Sequence, residues 1–223
     1  AWEQSDGARF IAVVNHLKSK GSACTTPDAF DGQGNCNGVR LNAANELRAW
    51  LATDPTGTAE PDVLILGDLN AYAKEDPINV FTANGWRDLI ASYGGALAYG
   101  YVFNGQWGYL DHALATPSLA LGQVAGAEHW HINADEPSVL DYNVNFKTAN
   151  LVDRLYAADE FRNSDHDPAV VALALTAPVV LRGTPGADRL TGGAADEVLI
   201  GGPGRDVLTG GGGRNQFVFS SVL

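Results

Sequence analysis

Short apolar runs that end in polar residues organise the first part of the chain. The segment Arg9–Leu17 (RFIAVVNHL) is apolar and β-branched, which predicts a buried strand that ends near Asn15 and His16. The segment Asp62–Leu66 (DVLIL) repeats this pattern and runs into the letters GDLN. Between the two runs, Val39–Ala52 carries apolar residues at helical spacing and predicts a helix.

The pattern continues with a helix, a hairpin and a last strand. The letters DP at positions 76 and 77 predict a helix start with Asp76 as its N-cap. The NG turn at positions 104 and 105 predicts a hairpin whose second strand, Trp107–Ala115, contains Asp111. The run Ala169–Leu175 predicts a strand directly after the letters SDHDP. This mixture favours an α/β sandwich whose polar strand ends gather along one edge.

From position 183 the chain divides into four nine-residue units, GTPGADRLT, GGAADEVLI, GGPGRDVLT and GGGGRNQFV. Each is a glycine-rich turn followed by a very short strand, and the units resemble the calcium-binding nonapeptide of RTX proteins. The resemblance implies a short parallel β-roll in which two units make one turn. Asp188 and Asp206, 18 residues apart, would then stack and hold structural Ca²⁺. Glu197 and Asn215 replace the family's Asp on the other side, where we expect weak binding or none.

Composition places a boundary ahead of these repeats. The chain has 26 glycines, with the excess after Leu181, so we expect one domain over residues 1–176, a linker over 177–182 and repeats over 183–219. The chain has no Met, and its first residues form neither a basic region nor an apolar signal core. We therefore expect it to be a piece of a longer protein. RTX repeats are typical of bacterial proteins exported by type I secretion machinery, which implies an extracellular location.

The net charge of the chain limits the kinds of molecule that it can bind by electrostatic attraction. The chain has 14 Lys+Arg against 26 Asp+Glu, a formal net charge of −12, with 45% hydrophobic residues. This composition is globular, and no apolar run is long enough to span a bilayer. An acidic surface argues against electrostatic capture of nucleic acid by the protein as a whole. It does not exclude a nuclease whose bound metal supplies the positive charge.

The two cysteines, Cys24 and Cys36, flank a loop with little apolar content to order it. A disulfide here would stabilise the protein by about 3 kcal/mol in the chain-entropy model and would suit an oxidising, extracellular setting. Two other interpretations stay open. One is a zinc site with His16, which lacks a fourth ligand and the usual close cysteine spacing, and the other is two free thiols.

Four separated motifs occur in order along the chain: NHL at Asn15–Leu17, GDLN at Gly67–Asn70, YLDHAL at Tyr109–Leu114 and SDHDP at Ser164–Pro168. Over residues 9–176 the chain resembles the C-terminal half of the endonuclease/exonuclease/phosphatase superfamily, which includes deoxyribonuclease I-like nucleases. Bacterial extracellular nucleases are similar in the segments NHLKSKGSAC, GQGNCN and WHINADEPSVLDYN. The resemblance implies part of a two-layer β-sandwich flanked by helices, with its N-terminal half missing.

The resemblance also implies roles for polar residues at strand ends. Phosphodiester hydrolysis needs an activated water, stabilisation of the phosphate oxygens and protonation of the leaving oxygen. Asp68 would position or deprotonate the water, and Asn70 would orient the phosphate by hydrogen bonding. His16 would donate the proton to the leaving group.

A second set of residues would hold the metal and the phosphate. By the same resemblance, Asp165 helps to hold a catalytic Mg²⁺ or Mn²⁺, His166 faces the scissile phosphate, and Asp111 fixes the tautomer of His166. The superfamily's principal metal-binding Glu comes from its N-terminal half, and neither Glu3 nor any other residue before His16 takes that place. We therefore expect this chain to be weak or inactive on its own.

Other histidines carry less specific patterns. His129 and His131 lie at strand spacing, so they face one side as a metal pair or, the favoured interpretation, as structural hydrogen-bonding residues. His112 alternates away from Asp111 and is expected to be non-catalytic, and Asp167 is expected to be a turn residue.

These patterns favour a secreted, metal-dependent phosphodiesterase, most specifically an extracellular nuclease that hydrolyses DNA or RNA. Phosphatases and sphingomyelinases share the same scaffold, and the motifs quoted above do not separate these substrates. An alternative from another class is a calcium-binding secretion or surface module with a vestigial catalytic part.

Overall fold

A computed structural model describes residues 1–5, 7–26, 28–140, 142–145, 147–213 and 215–219. The chain forms two compact units. The first consists of Phe10–Ala174 together with Ala1, and the second consists of Trp2–Arg9 and the residues from Leu175 onward. Within the described ranges, no helix is both long enough and apolar enough to cross a membrane.

Short strands and helices alternate along the chain. Ahead of the repeats, the strands among the described residues are β1 (Trp2–Glu3), β2 (Arg9–Val14), β3 (Val63–Asp68), β4 (Arg87–Asp88), β5 (Tyr101–Phe103), β6 (Gln106–Gly108), β7 (Asp111–Ala115), β8 (Val124–His129) and β9 (Ala169–Leu173). The helices are α1 (Asn37–Leu51), α2 (Asp76–Thr82), α3 (Leu89–Gly94), α4 (Pro117–Gly122) and α5 (Ala149–Leu155), and a 3₁₀ turn covers Gly95–Leu97.

The main sheet of the first unit has the strand order β2-β3-β7-β4. Strand β3 runs parallel to β2 and antiparallel to β7, and β4 is antiparallel to β7. Two further antiparallel pairs, β5 with β6 and β8 with β9, form separate small sheets. This mixed architecture confirms the predicted α/β class.

The core of the first unit lies where α1 and α2 pack on the main sheet. Ala44 of α1, Ile78 and Phe81 of α2, Ile65 of β3 and Leu114 of β7 are all fully buried in one cluster. Burying each large apolar side chain contributes about 1.5–3 kcal/mol relative to exposing it. The apolar runs therefore anchor the middle of the strands, while the polar residues that follow them reach the sheet edge.

Several predicted boundaries differ from the observed ones. Strand β2 ends at Val14, and α2 begins at Asp76 with Glu75 rather than Asp76 as its N-cap. The predicted second hairpin strand is in fact two strands, β6 and β7, because the buried residues Tyr109 and Leu110 separate them and the Leu110 carbonyl accepts a hydrogen bond from Leu69 N–H. Asp111 consequently begins a strand of the main sheet instead of lying within the hairpin.

The repeats of the second unit form a parallel β-roll. Its strands are β10 (Val179–Arg182), β11 (Arg189–Thr191), β12 (Glu197–Ile200), β13 (Val207–Thr209) and β14 (Asn215–Val218). Strands β10, β12 and β14 form one parallel sheet, and β11 pairs with β13. Residues 18 positions apart are neighbours throughout, for example Val179 with Glu197 and Arg189 with Val207. The predicted roll, with two units per turn, is confirmed.

Candidate active site and calcium-binding repeats

Two carboxylates and an imidazole meet at the end of strand β3. Asp68, the last residue of β3, pairs directly with Asp111, the first residue of β7. His166, in the segment before β9, places its Nδ1 2.5 Å from Asp111 Oδ2. One ligand atom from each of the three residues lies within 4.8 Å of the others. The main sheet therefore brings together residues that are far apart in the sequence.

The glycine of the GDLN motif allows the chain to pass close to this cluster. Gly67 has a φ of +124°, and a β-carbon there would lie 2.1 Å from the carbonyl oxygen of Asn15. Beyond β2 the chain continues alongside β3, since Asn15 N–H donates to Leu66 and Leu17 N–H donates to Asp68. Glycine is required at this position because any side chain would force the two segments apart.

Asn70 holds the carboxylate of Asp68. Its backbone N–H donates to Asp68 Oδ1 at 2.7 Å, and its side-chain Nδ2 donates to Asp68 Oδ2 at 2.8 Å. The same Nδ2 donates to the carbonyl of Leu17 at 3.0 Å. Both amide hydrogens of Asn70 are therefore engaged within the protein, so in this arrangement the side chain orients Asp68.

His16 also contacts the carboxylate of Asp68, at the oxygen to which Asn70 Nδ2 donates. Its Nε2 lies 3.3 Å from Asp68 Oδ2, and its side chain is 75% exposed, against 17% for Asp68. His16 thus combines a contact to the cluster with open access from solvent, which is the position that a proton donor to a bound molecule needs.

The pKa values of Asp68 and His166 are both raised. Burial raises the pKa of Asp68, an effect to which the charge of Asp111 adds and which the Asn70 N–H and the nearby histidines oppose. Burial alone would lower the pKa of His166, but the hydrogen bond and charge of Asp111, with the charges of Asp68 and Asp165, raise it overall. A raised pKa makes ionised Asp68 a better proton acceptor than an ordinary Asp and favours the protonated form of His166.

Asp165 lies beside this cluster, close enough for its charge to raise the pKa values of His166 and Tyr101. The group of close ligand atoms within the described residues consists of Asp68, Asp111 and His166 and does not include Asp165. Hard divalent cations such as Mg²⁺ favour oxygen ligands. The carboxylates of Asp68 and Asp111, with Asp165 next to them, fit that preference.

The sequence reasoning missed Tyr101 as a site residue. Tyr101 makes an isolated antiparallel bridge with His166, and their ring centroids are 4.5 Å apart. The sequence feature that could have indicated it is the pair of aromatic residues at alternate positions, Tyr101 and Phe103, just before the NG turn. Aromatic side chains in a short strand are so common that only the contact with His166 marks this one.

Asp167 does more than form a turn. Its fully buried carboxylate accepts the backbone N–H groups of Ile132, Asn133 and Ala134 through Oδ1, and its Oδ2 lies 2.8 Å from His131 Nδ1. These bonds tie the segment that carries His166 to the end of β8. Asp167 therefore supports the position of the site.

His129 and His131 do not face a common metal. The Nε2 of buried His129 lies 3.0 Å from the Asp111 carbonyl oxygen, and burial is the main cause of its lowered pKa. The His131 ring stacks on Tyr99 with centroids 4.0 Å apart and contacts Asp167. Each histidine thus has its own structural partner.

The loop ahead of α1 is tied down at several points. Cys24 and Cys36 form a disulfide with their Cα atoms 5.5 Å apart. The fully buried side chain of Arg40 donates to the carbonyls of Lys18, Asn35 and Gln33. Together these contacts order a loop that has little apolar content.

In the roll, the carboxylates of Asp188 and Asp206 accept hydrogen bonds from backbone N–H groups. Asp188 Oδ2 accepts the N–H of Thr184 at 2.7 Å, and Asp206 Oδ1 accepts the N–H of Asp188 at 3.0 Å. The second bond links residues 18 positions apart, so the two carboxylates occupy successive turns on one side, as the spacing predicts.

The opposite side of the roll is not equivalent. Glu197 is only 4% exposed; its Oε1 accepts the N–H of Gly193 at 2.8 Å, and its buried Oε2 has no hydrogen-bond partner among the described residues. Asn215 accepts the N–H of Glu197 and donates to the carbonyl of Gly212. Burying a carboxylate oxygen destabilises the folded protein unless a cation or a hydrogen-bond donor contacts that oxygen. The Oε2 of Glu197 is therefore an oxygen that Ca²⁺ would pair, while Asn215 leaves this side one carboxylate short of the side with Asp188 and Asp206.

Comparison with known proteins agrees with the roll. The family model of the RTX calcium-binding nonapeptide repeat matches four copies over residues 182–217. No curated protein matches the chain. An endonuclease/exonuclease/phosphatase family protein from Bacteroides thetaiotaomicron is a structural match with 16% identity and a TM-score of 0.34, covering 42% of this chain. The match spans 35% of that protein, about a third of its length. The C-terminal part of this chain thus carries RTX calcium-binding nonapeptide repeats.

Proposed function

We propose that the first unit is the catalytic part of a metal-dependent phosphodiesterase that hydrolyses nucleic acid. The observation that carries the proposal is the junction of Asp68, Asp111 and His166 at one sheet edge, with His16 at its open side. These residues come from the four motifs that resemble the endonuclease/exonuclease/phosphatase superfamily. A nucleic-acid substrate is favoured by the further resemblance of the cysteine loop to bacterial extracellular nucleases.

Asp68 is the proposed base for the attacking water. Its carboxylate is oriented by Asn70, and its raised pKa makes it a better proton acceptor than an ordinary Asp. As the water oxygen bonds to phosphorus, its proton passes to Asp68. Asn70 is assigned a positioning role, because its amide hydrogens are engaged by Asp68 and Leu17.

His166 and His16 complete the proposed proton transfers. Asp111 holds Nδ1 of His166, so Nε2 is the nitrogen that would meet the non-bridging phosphate oxygens. Protonated His166 would stabilise their negative charge. The bond from phosphorus to the leaving oxygen then breaks, and that oxygen takes a proton from His16. A divalent metal held by Asp165 with Asp68 or Asp111 would supply further positive charge to the phosphate.

We infer that the RTX repeats mark this protein for export by a type I secretion system to the outside of a bacterial cell. The Cys24–Cys36 disulfide suits an oxidising, extracellular location. In that setting Ca²⁺ would bind the repeats and order the roll.

Cleavage assays with separated metals test the proposal. The purified chain, saturated with Ca²⁺ and stripped of Mg²⁺, is incubated with plasmid DNA, single-stranded DNA, RNA, sphingomyelin and an inositol phosphate. Because no residue before His16 takes the place of the superfamily's principal metal-binding Glu, we expect slow cleavage of nucleic acid, and only after Mg²⁺ or Mn²⁺ is added, with no turnover of the other two substrates. Absence of cleavage of every nucleic acid at all metal concentrations would contradict the proposal, and turnover of sphingomyelin would redirect it to another substrate.

A further inference from the structure

The hairpin formed by β5 and β6 presents an aromatic face next to the cluster. The rings of Tyr101 and Phe103 lie nearly parallel, at 8°, with centroids 6.3 Å apart. Tyr101 also contacts the His166 ring at 4.5 Å. Phe103, one step further from His166, is 56% exposed. A row of aromatic rings therefore leads from the reacting groups out to solvent.

Successive side chains of the β5–β6 hairpin point to opposite faces, so the face that carries Tyr101 and Phe103 is distinct from the face that carries Trp107. Tyr101 pairs with Gly108, and a β-carbon at Gly108 would lie 2.8 Å from the ring of Tyr72. Tyr72 therefore packs on the same side as Tyr101 and extends the row. Trp107 pairs with Val102 on the opposite face.

The charge distribution limits how this site can hold a polyanion. The protein carries a formal net charge of −12. Of the two lysines that follow His16, Lys18 is bonded to Ser22 at 2.8 Å, while Lys20 pairs with Glu75 and lies over the Tyr72 ring. These lysines are already engaged within the protein. Stacking of bases on aromatic rings is the other main source of affinity for single strands.

We propose that Phe103, backed by Tyr101, stacks on a nucleobase of the strand whose phosphate lies at His166. The proposal deepens the proposed function and depends on it, since it names unpaired nucleotides as the preferred substrate. In a duplex, neighbouring base pairs cover both faces of each base, so a base reaches the Phe103 ring only in a single strand, a loop or a frayed end.

Kinetics with a defined oligonucleotide test this proposal. One internal linkage is a cleavable phosphodiester, the others are methylphosphonates, and the flanking nucleotides either carry bases or are abasic. We expect Phe103→Ala to lower kcat/KM on the base-bearing strand about tenfold, mainly through KM, and to leave the abasic strand unchanged. Phe103→Trp should restore the rate. Trp107→Ala, on the opposite face of the same hairpin, is the matched control and should affect neither strand.

A binding measurement keeps the test independent of turnover. A single strand that contains 2-aminopurine is titrated with the Ca²⁺-saturated chain, and stacking is read from the quenching of its fluorescence. We expect quenching by the wild type and its loss in Phe103→Ala. Quenching without cleavage would uphold the stacking surface and contradict the proposed reaction. Cleavage with equal losses on both strands, or no quenching by the wild type, would overturn the inference.

Discussion

The first unit and the roll bring their polar groups together by different means. In the roll, Asp188 and Asp206 meet because parallel strands repeat every 18 residues, and the same register holds from β10 to β14. In the first unit, Asp68 meets Asp111 and His166 only because β3 pairs with β7 and the segment before β9 returns to the same edge. One site follows from a local repeat, whereas the other depends on long-range packing. Substitutions should therefore act differently in the two units.

The largest effect is expected at the reacting groups of the first unit. We predict that His166→Ala and Asp68→Ala each lower the rate of nucleic-acid cleavage at least about a hundredfold, with little change in stability. Both side chains lie at a sheet edge outside the apolar core, so their truncation leaves little cavity. Initial rates and urea unfolding of each variant are the measurements.

His129→Ala is the control for those two variants. His129 is buried against Asp111 and Gly100, so its loss should reduce stability more than turnover. A stable His166→Ala variant that cleaves at the wild-type rate would contradict the assigned site.

The next effect concerns the close approach of two segments in the first unit. We predict that Gly67→Ala destabilises the protein by about 3 kcal/mol or more, because its β-carbon would lie 2.1 Å from the Asn15 carbonyl oxygen. Gly105→Ala is the matched control, because Gly105 also has a positive φ but a β-carbon there would meet no atom within 4 Å. We expect this variant to lower the free energy of unfolding by about 1 kcal/mol. Urea unfolding compares the two. Equal losses would show that the contact at Gly67 is not required.

In the roll we predict unequal responses on the two sides. Asp206→Ala should weaken the Ca²⁺-dependent protection of β11 and β13 from hydrogen exchange about tenfold, since it removes one of two aligned carboxylates. Glu197→Gln should lower Ca²⁺ affinity less and should stabilise the calcium-free roll by about 1 kcal/mol, because it removes a buried negative charge whose Oε2 has no hydrogen-bond partner among the described residues. Hydrogen exchange during calcium titration measures both. An unchanged response in Asp206→Ala would refute the assignment.

The last effect concerns a buried polar network in the first unit. Asp88 accepts hydrogen bonds from Tyr109 OH at 2.9 Å and from Ala91 N–H, and lies 3.4 Å from His112 Nδ1. Burial alone would raise the pKa of Asp88, but these donors and the charge of His112 lower it overall. The carboxylate therefore stabilises the fold above the ordinary Asp pKa of about 4, and this contribution is lost as the pH falls through the lowered pKa.

We predict that Asp88→Asn lowers the free energy of unfolding at neutral pH by about 1–3 kcal/mol and flattens its decline in acid. Urea midpoints at pH 7 and below pH 4 measure the change. A variant that declines in acid as steeply as the wild type would assign the acid sensitivity to other groups.

Some features of the first unit were predictable and others were not. The apolar runs located β2, β3 and α1 to within a few residues, because burial of alternating or helically spaced side chains is a local property. The break at Tyr109 and Leu110 was not predicted. It arises because Leu110 bonds to Leu69, a partner far away in the chain.

The arrangement of the site residues was likewise only partly predictable from the sequence. The motifs identified Asp68, Asp111 and His166 as candidate site residues. Their spacing does not predict that the side-chain amide of Asn70 donates to Asp68 and to the Leu17 carbonyl. It also gives no reason to place Tyr101 against His166. Both facts depend on which segments lie side by side after folding.

The sequence by itself determined the roll, since each nonapeptide contacts the unit two positions away and the 18-residue register follows from the repeat. It also determined the residue types that carry the proposed chemistry. Only the tertiary structure decided which of those residues meet, which hydrogen bonds they make, and that Glu197 has a buried oxygen with no hydrogen-bond partner in the part of the chain that the structure describes. The physical reason is that a repeat encodes its own neighbours, whereas a sheet edge is assembled from segments whose proximity is set by packing of the whole unit.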